Sequence, residues 1–467
     1  MNSKNYRWVI CGMLFFATTI NYMDRQVLSL TYPNLIEKEF HWDEAMYGTI
    51  TGIFSIAYAL SYFIAGKFID WIGSKKGYLW AIGIWSTGAC MHAFCGIGTE
   101  WILGIGSLKS PEMLQLAAGS KMALAIATVS VWMFIAARCL LAIGESGNFP
   151  AAIKVTAECF QPKDRAFATS IFNSGCSIGA LIAPFAIPLL AKHWGWEMAF
   201  IIIGALGYVW MGAWLVIYRA NGANETNETN GANGSNGNDR ANGTLTYRQA
   251  FTMRGMWALS LCRIVSDGGW WFFLFWTPMY LNTQFGIKPT DTEGMVLIFS
   301  LYLITMLSIF GGKMPNYFIN RGKSAYQSHL YSMFIFACIP LLGLLAQPAG
   351  EWFATPWAPI ILIGILGASH QSWSANMFSV VSDRFPQSST ATITSLSGAF
   401  GGISNFLLNI IAGYLFVYAD KTNLEFFGFT GKPAGYMIMF CWCGVAYLIG
   451  WTILRLLMPK ERLEAKG

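Results

Sequence analysis

The sequence predicts an all-α membrane protein, with twelve transmembrane helices in two pseudo-symmetric six-helix bundles and both termini cytoplasmic. Three observations predict it. Hydrophobic residues make up 55% of the 467-residue chain and charged residues 12%, with mean hydropathy +0.45, whereas soluble domains carry roughly 25% charged residues. Twelve apolar runs approach the about 20 residues that a span requires, near 8–31, 46–66, 77–97, 123–146, 166–190, 197–218, 256–281, 294–313, 326–346, 357–380, 390–416 and 434–457. A single polar stretch, Asn221–Thr244, divides these runs six and six. The composition excludes a water-soluble enzyme of ordinary design.

Orientation follows from the basic residues, which concentrate in cytoplasmic segments near span ends. With the N-terminus inside, twenty Lys/Arg fall on cytoplasmic segments and seven outside: Lys38, Lys109, Lys121, Lys192, Lys288, Lys421 and Lys432. Arg138, Arg263 and Arg25 complete the thirty. An even number of spans returns the C-terminus to the cytoplasm. The net charge of +6 is then a topology signal, and no nucleic-acid partner is expected.

The first run has almost no charged leader and no small-residue cleavage pattern before Asp24, so it is expected to be retained as a helix. Nine of the ten cysteines lie in the apolar runs and Cys159 beside the cytoplasmic face, with no paired-ligand spacing. They read as small buried hydrophobes, and neither a metal nor a cofactor is expected. The Asn/Gly-rich stretch cannot bury enough apolar surface to order itself. It marks a cytoplasmic linker, 219–253, between bundles 1–218 and 254–467. Its four Asn-x-Ser/Thr tripeptides, at Asn224, Asn227, Asn233 and Asn242, are products of the repeat on the cytoplasmic side.

The halves echo each other. Gly66-Lys67-Phe68-Ile69-Asp70 through Lys75-Lys76, after span 2, returns as Gly312-Lys313-Met314-Pro315-Asn316 through Lys323, after span 8. Glu158-Cys159-Phe160, after span 4, returns as Asp383-Arg384-Phe385 after span 10. Matching these markers leaves surplus residues in the first half, assigned to an external segment at 98–119 in which a short interfacial helix is expected.

Six charged residues lie deep in the apolar runs: Asp24, Arg25, Arg138, Glu145, Arg263 and Asp267. Each costs at least about 2.5–3.5 kcal/mol at membrane depth, so such residues face a protein interior or wet cavity and mark an ion or substrate path. Three arginines and three carboxylates point to an anion carrier with proton chemistry built in. Arg138 and Glu145, seven apart, share one helix face about two turns apart, able to share a cavity without neutralising each other. Asp24 and Arg25, being adjacent, point about 100° apart, so one can face substrate while the other reaches another helix. Arg263 and Asp267, four apart, can pair with each other or meet substrate; both readings stand.

The Gly66-x-x-x-Asp70-x-x-Gly73-x-Lys75-Lys76 loop, the two halves and the central linker resemble the major facilitator superfamily over essentially the whole chain. In this loop Gly66 is expected to permit close helix approach, Asp70 to accept from neighbouring donors, and Lys75 and Lys76 to anchor the loop inside. Asn316 replaces the aspartate in the second half, which weakens any ion pair there. Ile20-Asn21-Tyr22-Met23-Asp24-Arg25, Gly144-Glu145-Ser146-Gly147-Asn148-Phe149-Pro150 and Trp276-Thr277-Pro278-Met279-Tyr280 resemble the anion:cation symporter branch. Asn173-Ser174-Gly175 with Glu197-Met198-Ala199-Phe200 are most similar to its hexuronate transporters.

The resemblance implies that Arg25 binds the substrate carboxylate, with Tyr22 and Tyr58 on hydroxyls. It implies that Asp24 and Glu145 are the protonatable pair, modulated by Arg138. An arginine fork fits a carboxylate bidentately. Desolvation favours a protonated carboxyl and a nearby arginine the ionised form, so alternating access can load and release a proton. Proton coupling is assigned to Asp24, Arg138, Glu145 and Asp267. From the second half, His370, Gln371, Trp373, Asn376 and Asn405, with Ser397, offer donors, acceptors and a ring face to a sugar, or else interhelical hydrogen bonds. Arg263 joins the substrate candidates. Cys176 departs from relatives carrying glutamine, and Asn173, a turn earlier, is the substitute. His92 reads as structural.

No nucleophile motif, phosphate loop or pore-loop repeat occurs, so the expectation is a secondary carrier and no enzyme. The resemblance implies a carrier in a bacterial inner membrane, expected to be a monomer, that imports a hexuronate such as galacturonate or glucuronate with protons. Galactonate or another organic anion, sodium coupling, and a sensor on the same fold are the alternatives.

Overall fold

The computed structural model describes residues 3–117, 119–160, 162–218, 247–311, 314–385 and 387–458. The Asn221–Thr244 stretch with its four tripeptides, and Gly312-Lys313, lie outside the described residues. The first half forms α1 (Ser3–Thr31), α2 (Glu44–Ile72), α3 (Ser74–Met91), α4 (Lys121–Glu145), α5 (Pro162–Trp194) and α6 (Trp196–Ile217). The second forms α7 (Arg254–Ser266), α8 (Gly268–Phe285), α9 (Thr292–Thr305), α10 (Ala325–Cys338), α11 (Trp357–Arg384), α12 (Gln387–Thr422) and α13 (Lys432–Leu457).

Seven helical stretches among the described residues are long and apolar enough to cross a membrane: Glu44–Ile69, Lys121–Thr156, Ile171–Trp194, Trp196–Ile217, Ala325–Trp352, Leu396–Thr422 and Lys432–Leu457. The helices left out of this set include α1, which carries Asp24 and Arg25, the α7–α8 pair, which carries Arg263 and Asp267, and α11, which carries His370 and Gln371. In α1 and α11 these polar residues dilute the apolarity, whereas the break at Asp267 leaves α7 only 13 residues long.

Four expected spans are interrupted. The run 256–281 breaks at Asp267, where two glycines in succession weaken the helix and the Gly268 N–H donates to Ser404 Oγ at 2.9 Å. The run 294–313 turns after Thr305, whose hydroxyl donates to the Tyr302 carbonyl at 2.6 Å, and resumes over Ser308–Gly311. The run 326–346 tightens into a 3₁₀ segment at Ile339–Leu345, with Pro340 in its first turn, before Ala346–Trp352. The run 77–97 passes through a 3₁₀ turn, His92–Phe94, into a helix over Cys95–Leu103.

That last helix and a single helical turn, Pro111–Leu114, are the helical content of segment 98–119 among the described residues. The segment is tied down by the Leu108 N–H to Glu100 Oε1 (2.7 Å), Lys109 Nζ to Glu197 Oε1 (2.5 Å) and the His41 ring to the Met113 carbonyl (2.8 Å).

The chain forms two compact units. The first gathers residues up to Met46, from Leu60 through α6, and Lys288–Met295; the second gathers Tyr47–Ala59 with the remaining helices. In the first, α1 lies along α5 and α3 along α4. Both contacts are made at glycines. A Cβ on Gly88 or Gly144 would overlap the backbone of Leu141 or Trp85, and one on Gly175 or Gly179 would crowd the Phe15 or Thr19 carbonyl. Small residues give lipid-embedded helices this close packing. In the second unit the early turns of α2 lie on α12, with Gly48 facing the Asn409 carbonyl and Gly52 facing Ile410.

Candidate functional site

In the first unit, α1 presents Tyr22, Asp24 and Arg25 one after another. Arg25 Nε donates to Glu145 Oε2 on α4 at 2.6 Å, with both side chains buried. The guanidinium lies 5.2 Å from the centre of the Tyr22 ring. From α5 the Cys176 thiol reaches the Tyr22 hydroxyl within the field of Arg25, and its sulfur stands 3.8 Å from Asn173 Oδ1. Tyr22, Arg25, Glu145, Asn173 and Cys176 are therefore brought together, and Cys176 is a member of this group that sequence reasoning had set aside.

Asp24 points elsewhere. It is buried, within electrostatic reach of Glu145 and Arg138 on α4 and of Cys90 on α3, and neither carboxylate oxygen has a hydrogen-bond partner among the described residues. The adjacent pair thus splits as adjacency on a helix requires, Arg25 toward Tyr22 and Asp24 between α1, α3 and α4. Asn21, also buried with both amide atoms unpartnered among the described residues, belongs to this polar interior; it was absent from the sequence-based set, although it lies one turn before Arg25.

In the second unit, Arg263 Nη1 pairs with Asp267 Oδ2 at 3.5 Å, and the guanidinium stands 5.0 Å from the Phe378 ring. The pair faces the glycine surface of α12, where Gly398 and Gly401 leave room for it. His370 Nδ1 is 2.8 Å from the Tyr447 hydroxyl, its ring lies parallel to Trp270 at 5.8 Å, and Arg263 is within electrostatic range. Trp373 is fully buried with its ring edge-on to Tyr447, so it offers no open face here. Asn376 Oδ1 meets His329 at 2.9 Å while its amide donates to the Ser372 carbonyl. Gln371 is half-buried on α11, and the Ser397 hydroxyl donates to its own helix at Thr394.

Asn405 donates to Ser55 Oγ at 2.6 Å. It also contacts Asn409, whose Oδ1 accepts from Trp276 Nε1 (2.9 Å) and Thr51 Oγ1 (3.2 Å). Tyr47 OH donates to the Phe275 carbonyl at 2.8 Å beside this network. Tyr58 is half-buried near Phe54, three residues after Ser55. Of this network only Asn405 was among the sequence candidates. The i, i+4 spacing of Thr51 with Ser55 and of Asn405 with Asn409 was the available signal.

The α2–α3 connection is a single residue, Gly73, whose φ of 90° explains the glycine. Lys154 Nζ donates to the Ile69 carbonyl at 3.2 Å, and Trp214 Nε1 to the Lys75 carbonyl at 3.4 Å. Glu158 accepts from Ser74 and from Tyr218 OH, the latter at 3.0 Å. Lys76 is exposed, and the side chain of Asp70, on the last turn of α2, lies outside the described residues. The expectation for Gly66 is corrected: a Cβ there would meet nothing within 4 Å, and the close contact at this end is made by Gly77 against Ile69.

Among similar proteins, the hexuronate transporter of Escherichia coli (strain K12) is 26% identical over 423 residues, 88% of each chain. The galacturonate transporter of Dickeya chrysanthemi is 25% identical over 321 residues, 68% of this chain and 83% of its own. A probable galactarate/D-glucarate transporter of E. coli, GarP, is 24% identical over 425 residues. In fold, a D-xylose–proton symporter aligns with TM-score 0.70 at 13% identity, covering 97% of this chain and 98% of its own. A bacterial homologue of the human lysosomal transporter Spinster, inward-facing and unoccupied, aligns with TM-score 0.65 at 18% identity over 97% and 95%. The family model described as Major Facilitator Superfamily matches residues 14–409. The helical fold, its glycine-packed α3–α4 contact and this match agree, and the chain belongs to the Major Facilitator Superfamily.

Proposed function

We propose that the chain imports a sugar-acid monoanion, a hexuronate such as galacturonate or glucuronate, together with protons, by alternating access in a bacterial inner membrane. In this reading it works as a monomer of twelve spans with cytoplasmic termini, its two bundles joined by the linker 219–253. The observation that carries the reading is the buried contact of Arg25 with Glu145. A guanidinium held by a carboxylate is released when that carboxylate takes a proton, and it is then free to donate to the carboxylate of a substrate. Proton uptake thereby precedes anion capture at Arg25. Asp24, without a hydrogen-bond partner among the described residues and within electrostatic reach of both Glu145 and Arg138, is the second proton acceptor.

The sugar end falls to neutral groups: Tyr22, Asn173 and Tyr58, with His370, Gln371 and Asn376 from the second half. The pairing of Arg263 with Asp267 supports a holding role, with substrate contact requiring release of Arg263. The similarity to hexuronate and galacturonate transporters at 26% and 25% identity favours hexuronates over aldonates.

The test is accumulation of labelled galacturonate in proteoliposomes under an inward proton gradient without sodium, with galactonate and galactarate as competitors. Accumulation abolished by a protonophore and weakly inhibited by both competitors is the expected result. Accumulation that requires sodium, or that galactonate or galactarate blocks best, overturns the coupling ion or the substrate.

A further inference from the structure

His92 lies where α3 changes from α-helix to 3₁₀ turn, a kind of break that often marks a functional position inside a helix. Its ring is fully buried, parallel to Phe200 at 4.8 Å and edge-on to Phe134 at 5.5 Å, so its orientation is fixed. Nδ1 sits 2.7 Å from the Gly88 carbonyl and 3.2 Å from that of Ala89. Facing two acceptors, Nδ1 carries the hydrogen. In the singly protonated ring, Nε2 is therefore a bare acceptor, and it has no hydrogen-bond partner among the described residues. A buried acceptor left without a donor costs about 1–3 kcal/mol.

The helix register says what it faces. Helices α3 and α4 run antiparallel, with Gly88 against Leu141 and Trp85 against Gly144. Each turn up α3 is thus a turn back along α4. His92, one turn beyond Gly88, comes level with Arg138, nearly one turn before Leu141, and the two are within electrostatic range. Arg138 in turn lies in the field of Asp24 and Glu145.

We propose that His92 is a positioning residue of the proton site, its Nε2 accepting an N–H of Arg138 when Asp24 is protonated and no longer competes for the guanidinium. The proton stays on Asp24; His92 transfers none and keeps Arg138 from collapsing onto Glu145. The charged and titratable groups around this step are Arg138 and Glu145 from α4, Asp24 from α1 and Cys90 from α3, while α6 contributes Phe200. This role rests on the proton-coupled reading above.

The experiment compares His92→Phe, which keeps the ring stack and removes the acceptor, with His92→Gln, which returns an acceptor. Each is reconstituted and assayed for galacturonate counterflow without a gradient and for gradient-driven accumulation across pH. His92→Phe is expected to keep counterflow near the parental rate and lose about tenfold or more in accumulation, the scale of one hydrogen bond to a charged group, with an altered pH profile. His92→Gln is expected to regain most of it. Parental accumulation and pH profile in His92→Phe, or equal losses of counterflow and accumulation in both variants, overturn the role. A parent chain that exchanges substrate but never accumulates it removes the coupling reading and this role with it.

Discussion

Arg25 on α1 and Glu145 on α4, 120 residues apart, meet through a 2.6 Å contact with both side chains buried. Breaking a buried pair by removing one member costs about 3–5 kcal/mol, because the other is left charged and uncompensated. Arg25→Ala is therefore expected to lower stability by about that amount, and Glu145→Gln in the same chain to restore much of it. Thermal unfolding of the two single variants and the double variant in detergent checks this, and additive losses would contradict it.

For transport, Glu145→Gln keeps an acceptor for Arg25 but cannot gain or lose a proton. Accumulation under a proton gradient is expected to fall by about two orders of magnitude, the lower range for loss of a proton-transfer group, while counterflow persists. Wild-type accumulation rates in Glu145→Gln would remove proton coupling from this residue.

Asn409 joins two donors, Trp276 and Thr51, in the second unit. Asn409→Leu fills a similar volume but leaves the Trp276 indole N–H without this acceptor, at about 1–3 kcal/mol for a buried group, while the Thr51 hydroxyl keeps the Tyr47 carbonyl at 3.0 Å. A lowered unfolding temperature is expected. Adding Trp276→Phe removes the orphaned donor and should recover part of the loss. A double variant no better than Asn409→Leu would mean that the network matters through shape alone.

The deep charges and the glycine of the α2–α3 connection were legible in the sequence, because each departs locally from an apolar pattern. The contact of Arg25 with Glu145 was not. A helix face can be assigned from spacing, but which face meets which is decided by the glycine contacts of α3 with α4 and of α1 with α5, and no local pattern encodes that. The break at Asp267 was hidden because the run around it stays apolar, and only the Gly268-Gly269 pair hinted at it. Gly66 misled for the reverse reason: a motif glycine need not have a neighbour, whereas a Cβ on Gly88, which lies in no quoted motif, or on Gly144 would overlap neighbouring backbone. On this basis Gly144→Val is expected to abolish folded yield and Gly66→Ala to leave it unchanged, read by fluorescence-detected size exclusion.

In the short helix Glu37–Phe40, Glu39 accepts from Trp196 Nε1 at 2.8 Å while lying 8% exposed. Burial raises its pKa above the ordinary carboxyl value, an effect that the Trp196 hydrogen bond and Lys109 oppose without cancelling. The native state then binds the proton more tightly than the unfolded state. The stabilisation is complete below the unfolded carboxyl pKa and is lost as pH rises through the folded one. Glu39→Gln keeps the acceptor for Trp196 and has no charge to bury, so it should unfold at a higher temperature than the parent at neutral pH, with the gap closing toward acid pH. Paired melting curves across pH check this. A gap that widens toward acid pH would mean that the ionised form of Glu39 is the one the fold favours, through Lys109, with burial the lesser influence.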